Sequence, residues 1–222
     1  MIKKILLVGG CGFIGHNLAL ELEKKNHKVF IVDSLEVNNI FSKNKEVENI
    51  KLYDSILKNR IDLIKEKNIN FTVQDCRDYH KIYEIYENIK PDIIVHLAAV
   101  SHANKSNKDP HSTFDHSLRT LENTIDFAKS KKIHVIYISS SMVYGNFNGQ
   151  DVNEETNCKP IGIYGSLKYA GELILKSYNQ VFDLPYTIIR PSALYGERCV
   201  SRRVGQIFIE NAIQGKNIEI NG

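Results

Sequence analysis

The sequence predicts an α/β fold built on a doubly wound parallel sheet. Short apolar runs alternate along the chain with longer amphipathic stretches, an order that is typical of β-α-β units. Within the short runs, neighbouring positions are all apolar, which indicates strands that are buried on both faces, as parallel strands are. A glycine-rich run between the first predicted strand and the first predicted helix is the third observation.

The predicted elements follow from this alternation. The predicted strands cover residues 5–8, 29–32, 71–73, 93–95, 135–138 and 187–189. Helical periodicity covers residues 18–23, 56–64, 82–89, 118–127, 167–182 and 204–215. The segment 38–49 is rich in Asn and Lys, and we expect it to be a mobile surface segment. Residues 217–220 are expected to begin one more strand.

Composition and charge narrow the possible partners. The 222 residues are 42% hydrophobic and 25% charged, with a net charge of only +3 and the basic residues dispersed. No basic stripe for nucleic acid and no apolar run of membrane-spanning length is present. The four cysteines are scattered and no pattern of metal ligands occurs. We therefore expect a cytoplasmic protein with no metal, no nucleic-acid partner and no membrane association.

The glycine-rich run predicts a Rossmann-type dinucleotide site. The run reads Gly9-Gly10-Cys11-Gly12-Phe13-Ile14-Gly15. Its glycines allow a tight turn and a close approach of the backbone to a pyrophosphate, while Gly15 lets the helix pack on the strand. The first amides of the helix, at Phe13, Ile14 and Gly15, would then face the phosphates.

The acidic residue at the end of the second strand selects the cofactor. Asp33 follows Gly15 by 18 residues, where a carboxylate accepts a hydrogen bond from a ribose 2′-hydroxyl and repels a 2′-phosphate. No Arg follows within residues 34–39, so the predicted cofactor is NAD rather than NADP.

Residues after the third and fourth strands are predicted to complete the cofactor pocket. Asp75 and Cys76 follow the third strand, and the Asp75 carboxylate is expected to accept from the adenine amino group. A helix N-cap is the other role for an Asp here, and it suits Asp78 better than Asp75. Small residues after the fourth strand let the cofactor cross the strand ends; the residues concerned are Leu97, Ala98 and Ala99.

A tyrosine and a lysine at the start of one predicted helix supply the chemistry. Tyr164 and Lys168 are four residues apart and share a helix face, so the lysine ammonium favours the phenolate of the tyrosine. Ser140 lies in a serine run after the fifth strand, where a hydroxyl can hydrogen-bond a reacting oxygen. Together these residues form an orienting donor, a base and a group that tunes the base.

With these motifs, the chain resembles the extended short-chain dehydrogenase/reductase family, the NAD-dependent nucleotide-sugar epimerases and dehydratases. The motifs occur in family order; they are the glycine run, Asp33, Asp75, His96-Leu97-Ala98-Ala99, Ser139–Gly145, Tyr164-Gly165-Ser166-Leu167-Lys168 and Arg190-Pro191 with Leu194-Tyr195-Gly196. The resemblance implies that Ser140, Tyr164 and Lys168 are catalytic, and that Tyr164 and Lys168 also contact the cofactor.

The resemblance also implies a reaction and its alternatives. Dehydratases of the family typically carry acidic residues where Ser141 and Met142 stand, which favours an epimerase, or a 4-reductase or oxidase, over a 4,6-dehydratase. Among these we favour an epimerase that oxidises and re-reduces C4 of a nucleotide-diphosphate sugar. A 4,6-dehydratase with atypical acid and base residues is the alternative. A non-catalytic NAD(H)-sensing protein is an alternative from another class.

Substrate contacts, domains and assembly complete the expectations. Ser141, His102 and Arg198 are the predicted substrate-binding residues, and Arg202 and Arg203 are further candidates for the diphosphate. A surface role is the equal alternative for His102 and for each arginine. Residues 1–190 are expected to form the NAD-binding domain, and residues 191–222 to start a substrate-binding region whose remainder lies beyond Gly222. The resemblance implies a homodimer that pairs the helices around 118–127 and 167–182.

Overall fold

Six parallel strands form one sheet in the order β3-β2-β1-β4-β5-β6. The computed structural model describes residues 1–37, 39–41, 49–101, 103–149, 151–200 and 204–219. The strands are β1 Lys4–Val8, β2 Lys28–Asp33, β3 Asn70–Val73, β4 Ile93–His96, β5 His134–Ile138 and β6 Tyr186–Ile189. The parallel sheet and all six predicted strands are confirmed. After β1, the chain adds β2 and β3 on one side of β1 and then β4 on the other side. The topological switch point therefore lies between β1 and β4.

Helices connect the strands, and most begin earlier than the periodicity predicts. They are α1 Phe13–Lys24, α2 Ile50–Glu66, α3 Tyr79–Ile89, α4 Ala103–Lys108, α5 Pro110–Phe114, α6 Thr120–Lys131, α7 Gly162–Phe182 and α8 Val204–Ile213. A π-helical turn covers Asp115–Arg119 and a 3₁₀ turn covers Ser141–Tyr144. The two short helices α4 and α5 carry no amphipathic period and were not predicted. Within the described part of the chain, no helix is long and apolar enough to cross a membrane.

One expectation for an irregular segment is corrected, and another is corrected at a single residue. The described residues 217–219 form no strand, because this stretch has no partner in the sheet, while residue 220 lies outside the described residues. Most of the segment 38–49 also lies outside them. Asn39, however, is 2% exposed and donates from Nδ2 to the carbonyl of Cys11 at 3.2 Å, so it is a buried residue and not part of a mobile surface.

The core has one layer on each face of the sheet. Leu6 and Val8 of β1 pack in the layer beneath α3, α6 and α7, whereas Ile5 and Leu7 pack in the layer on the α1 and α2 side. Successive residues of a strand point to opposite faces, so a central strand covered on both faces must be apolar throughout. Because β1, β4 and β5 pair in parallel, their carboxyl ends lie at the same edge of the sheet.

Helix α7 crosses β5 and α6 at very short range. A Cβ atom at Gly171 would lie 2.4 Å from the Tyr137 hydroxyl oxygen and 3.0 Å from Cδ2 of Leu121. The glycine therefore sets the distance between α7 and the sheet. Because α7 also carries Tyr164 and Lys168, this contact determines how deep those side chains reach at the sheet edge.

We predict that Gly171→Ala lowers the free energy of unfolding by about 1–3 kcal/mol, because the new methyl group overpacks a rigid contact. The matched control is Gly205→Ala in α8, where an added Cβ meets no described atom within 4 Å. That substitution should leave the free energy of unfolding unchanged or raise it by up to about 1 kcal/mol through helix propensity. Urea denaturation of both variants checks this; equal stability of the two would refute the packing argument.

Candidate functional site

A cavity of about 790 Å³ opens at the carboxyl edge of the sheet, beside the switch point. Its volume lies in the range of small-molecule and cofactor sites, about 300–1,000 Å³. The structure brings most of the predicted site residues to it. These are Gly9, Gly12, Phe13, Ile14, Gly15, Asp33, Asp75, Cys76, Leu97, Ala98, Ala99, Ser140, Ser141, Tyr164 and Lys168.

The glycine turn shapes one wall of this cavity. Gly9 has a φ of +78°, and a Cβ there would lie 2.7 Å from the backbone of Ala98. A Cβ at Gly12 would lie 3.5 Å from its nearest described neighbour, the carbonyl oxygen of Gly9. A side chain at this position would therefore project into the cavity and not into the protein interior. Helix α1 begins directly after Gly12 without a side-chain cap. Its first amides therefore suit a pyrophosphate.

Asp33 closes the same end of the cavity from β2. Its Oδ2 accepts from the backbone amide of Cys11 at 2.9 Å and its Oδ1 accepts from that of Leu35 at 2.7 Å. Burial raises the pKa of Asp33, while the two amides and the charge of Arg60 oppose this rise. Each carboxylate oxygen keeps a further lone pair, which is the acceptor that a ribose hydroxyl requires.

Asp75 lies at the cavity after β3, but its carboxylate already has a partner. Arg77 donates to it from Nε at 3.0 Å and from Nη2 at 2.6 Å. Partial burial acts to raise the pKa of Asp75, but the hydrogen bonds and charge of Arg77 outweigh burial and lower the pKa. The capping role falls to Asp78, whose side chain accepts from the Lys81 amide at the start of α3.

Ser140 and Ser141 extend the site from the end of β5. Ser140 is the N-cap of the 3₁₀ turn, and its Oγ accepts from the Met142 amide at 3.2 Å. The Ser140 hydroxyl proton is therefore directed elsewhere, which leaves it available as a donor to an oxygen in the cavity. Met142 is 41% exposed and also lines the cavity.

Lys168 is a buried ammonium beneath Tyr164 on α7. Its Nζ donates to the carbonyl of Ile138 at 2.7 Å and lies 5.1 Å from the centre of the Tyr137 ring. Burial lowers the pKa of Lys168 to about 8, against the charge of Glu172, which raises it. Nearby His96 is fully buried, and burial together with Lys168 lowers its pKa to about 3, so that imidazole is neutral.

A buried ion pair supports this half of the site, and sequence reasoning missed it. Glu172 lies one turn after Lys168 and is completely buried; Arg190 donates to it from Nε at 2.9 Å and from Nη2 at 2.7 Å. Ser139 donates to the same carboxylate at 2.5 Å, and Tyr144 accepts from Arg190 at 3.0 Å. The one local signal is an acidic residue four positions after the lysine, which places Glu172 on the helix face of Lys168 but does not indicate Arg190 as its partner.

The predicted substrate-binding residues separate in the structure. Ser141 lines the cavity, whereas the described structure directs the guanidinium of Arg198 to His16 and Asn17 on α1. His102, Arg202 and Arg203 lie outside the described residues. Two cations that were not predicted do line the cavity, namely Lys105 of α4 and the buried Arg60 of α2. Among the described residues, no cluster of His, Cys, Asp or Glu could hold a metal ion.

The arrangement combines a glycine turn and a buried carboxylate at one end with a hydroxyl, a phenol and a buried ammonium at the other. Such a site can hold a dinucleotide across the strand ends and move a proton to or from a hydroxyl beside it.

Comparisons with known proteins agree with this arrangement. The model of the NAD dependent epimerase/dehydratase family matches residues 5–222. A dTDP-D-glucose 4,6-dehydratase of Dictyostelium discoideum is 29% identical over all of this chain and half of its own length. A putative UDP-glucose 4-epimerase of Methanocaldococcus jannaschii is 30% identical over 87% of this chain and 57% of its own length. The chain thus spans about half the length of these relatives.

A solved structure shares the fold. The dTDP-glucose 4,6-dehydratase of Bacillus anthracis, determined in complex with NAD, matches 99% of this chain and 64% of its own chain with a TM-score of 0.81 and 21% identity.

The depressed pKa of Lys168 predicts a pH-dependent stability. In the folded state the pKa is about 8, against about 10.4 in the unfolded chain, so between these values the unfolded state binds more protons and stability rises with pH. We expect the free energy of unfolding of the wild type, relative to that of Lys168→Met, to increase by roughly 1–3 kcal/mol from about pH 7 to about pH 10. Urea denaturation across this range measures the gain.

The control for this series is Lys58→Met, which removes an exposed lysine of α2. This variant should follow the pH profile of the wild type. A constant difference between wild type and Lys168→Met would show that Lys168 is not desolvated.

Proposed function

Because the chain belongs to the NAD dependent epimerase/dehydratase family, we propose that it forms the NAD-binding and catalytic part of a nucleotide-sugar epimerase. The observation that carries the proposal is the shared cavity: Ser140, Tyr164 and Lys168 line the same space as the glycine turn and Asp33. A proton-transfer group and a dinucleotide cradle in one cavity are the parts that hydride chemistry at a sugar hydroxyl requires.

The residues present fit NAD. The uncapped first turn of α1 would hold the pyrophosphate, Asp33 would accept from the adenosine ribose, and Lys168 would contact the nicotinamide ribose. When bound, NAD supplies the site that takes up a hydride from the sugar C4 and returns it. Asp75 supports the adenine end, with its carboxylate oriented by Arg77.

The protein groups handle the proton and the oxygen. Tyr164, as the phenolate, takes the proton of the sugar 4-hydroxyl when that carbon is oxidised, and returns it when the carbonyl is reduced on its other face. Ser140 donates a hydrogen bond to the same oxygen. The Lys168 ammonium lies one turn away on α7 and favours the phenolate by its charge. The Arg190–Glu172 pair joins α7 to the end of β6, and Ser139, which donates to the same carboxylate, joins α7 to the end of β5.

Two residues favour epimerisation over dehydration. Loss of water from C5 and C6 needs a base for the C5 proton and an acid for the departing hydroxyl. Ser141 and Met142 occupy the cavity wall after Ser140 and can perform neither role near neutral pH. A 4,6-dehydratase is the second candidate, favoured by the 29% identical relative that carries that name.

The substrate, the assembly and the compartment belong to the proposal as well. A nucleotide-diphosphate sugar is the substrate class, with Ser141 and residues of the segment 191–222 in contact with it.

A homodimer through α6 and α7 is supported by the apolar exposure of α7, where Leu173 is 47% and Val181 is 70% exposed. The four free cysteines suit the cytoplasm.

We predict that Tyr164→Phe lowers the rate of nicotinamide reduction by a nucleotide sugar by about a hundredfold or more, because the proton acceptor is lost. NAD affinity should change little. Tyr169→Phe, a hydroxyl deletion on the same helix, is the matched control and should retain the wild-type rate. Absorbance of reduced nicotinamide in single-turnover experiments measures the effect. Turnover by Tyr164→Phe at the wild-type rate would exclude Tyr164 as the base.

Proton NMR of the products in D₂O separates the candidate reactions. A new C4 epimer with an intact CH₂OH group and no deuterium uptake identifies the epimerase. A 6-deoxy-4-keto product with deuterium at C5 identifies a dehydratase. Tight NAD binding without turnover of UDP-, GDP- or dTDP-sugars would favour the NAD(H)-sensing alternative.

We also predict that Asp33→Asn weakens NAD binding by about tenfold, since a hydrogen bond to a charged acceptor is lost. NADP binding should weaken less or improve, because the repulsion of a 2′-phosphate is removed. Asp62→Asn, at an exposed position of α2, serves as the control. Calorimetric titration with both dinucleotides reports the ratio of the two dissociation constants; an unchanged ratio would mean that Asp33 does not select the cofactor.

A further inference from the structure

The segment after β6 contacts helix α1, just after the glycine turn, through Arg198. Arg198 donates from Nε to Nε2 of His16 at 2.9 Å and from Nη2 to Oδ1 of Asn17 at 3.0 Å. Its remaining terminal nitrogen, Nη1, forms an ion pair with Glu197 at 3.0 Å. Two nitrogens of the guanidinium are therefore engaged on α1 and the third on Glu197, and Arg198 is not among the described residues that line the cavity.

His16 passes this contact on to the start of α1. It is completely buried, and its Nδ1 lies 2.9 Å from the carbonyl oxygen of Gly12. Because Nε2 accepts from Arg198, the single proton of the neutral ring must be on Nδ1, which then donates to Gly12. Burial, with smaller contributions from Arg60 and Arg198, lowers the pKa of His16 to about 4, so the ring is neutral at physiological pH.

Arg60 fixes the other end of this contact. It is 1% exposed on α2, and it donates from Nε at 3.1 Å and from Nη2 at 2.5 Å to the carbonyl oxygen of Arg198. Arg198 has a φ of 62°, a left-handed conformation that a non-glycine residue adopts at a cost. Such a conformation persists where neighbours determine it, and here Arg60 holds the carbonyl while α1 holds the side chain.

We propose that Arg198, held by Arg60, is a positioning residue that acts through His16 to fix the carbonyl of Gly12 and thereby the pyrophosphate-binding amides of α1. The segment after β6 then sets the affinity for the dinucleotide. This inference rests on the proposed NAD site. The proposal gives Arg198 a role in cofactor binding, whereas its position after the last strand suggests a role in substrate binding.

The first test compares Arg198→Met with Arg119→Met, which removes an exposed arginine that pairs only with Glu122 among the described residues. Calorimetric titration with NAD should give a dissociation constant about tenfold higher for Arg198→Met and an unchanged one for Arg119→Met. An unchanged constant for Arg198→Met overturns the proposal. An unchanged constant for NAD together with weaker binding of UDP would instead make Arg198 a diphosphate ligand.

The second test separates positioning from general destabilisation. If Arg198 acts through His16, then His16→Leu and the double variant His16→Leu/Arg198→Met bind NAD equally weakly, because the second change removes nothing further. Multiplicative losses in the double variant overturn the relay. In the wild type, ¹⁵N spectra of the imidazole should show a neutral His16 protonated at Nδ1; protonation at Nε2 would also overturn it.

Failure of the NAD site itself gives a different result. If wild-type protein shows no NAD binding, the proposed function fails, whereas wild-type binding with an insensitive Arg198→Met variant refutes only the relay. The imidazole spectrum reports on the relay in either case, because it is recorded without a dinucleotide.

Discussion

Close packing of the turn between β1 and α1 is the constraint on which the rest of the site depends. A Cβ at Gly15 would lie 2.4 Å from the carbonyl oxygen of Gly10, and one at Gly9 would meet the backbone of Ala98 at 2.7 Å. These contacts bring the start of α1 against the ends of β1 and β4. The first amides of α1 therefore reach the switch point of the sheet, where the cavity opens.

Buried charge is concentrated at both ends of the cavity. Asp33 and Arg60 are buried at one end of the cavity, and Lys168 is buried at the end that holds Tyr164. Behind Lys168, the buried Glu172 pairs with Arg190, whose side chain is 13% exposed. Desolvation of such groups is costly unless each has partners. Backbone groups supply many of these partners, including the amides that bind Asp33 and the carbonyl that binds Lys168. The buried charged side chains of the site are thus held by backbone groups at the ends of strands whose other residues form the core.

The segment after β6 contacts both the cavity and helix α1. Pro191 and Leu194 line the same cavity as Ser140 and Tyr164, while Arg198 reaches α1. Farther along, Glu210 of α8 accepts from Tyr53 of α2 at 2.5 Å. These contacts place the segment along the wall of the cavity and against α1 and α2.

The sequence by itself determined the parallel sheet, the glycine turn, Asp33 and the Tyr164–Lys168 pair. Each depends on neighbours close in the chain: a strand buried on both faces is apolar throughout, a tight turn needs glycine, and residues four apart share a helix face. Helix starts were less well predicted, because first turns such as 50–55 are irregular in hydrophobicity.

Only the tertiary structure decided the direction of Arg198, the burial of Arg60 and the ion pair of Glu172 with Arg190. The Arg198–His16 contact joins residues 182 positions apart, and no local pattern encodes it. With the same local backbone geometry, a long polar side chain can extend into solvent, toward a substrate or onto a neighbouring helix. Packing selects among these, because a buried donor or acceptor must find its partner wherever the fold brings one.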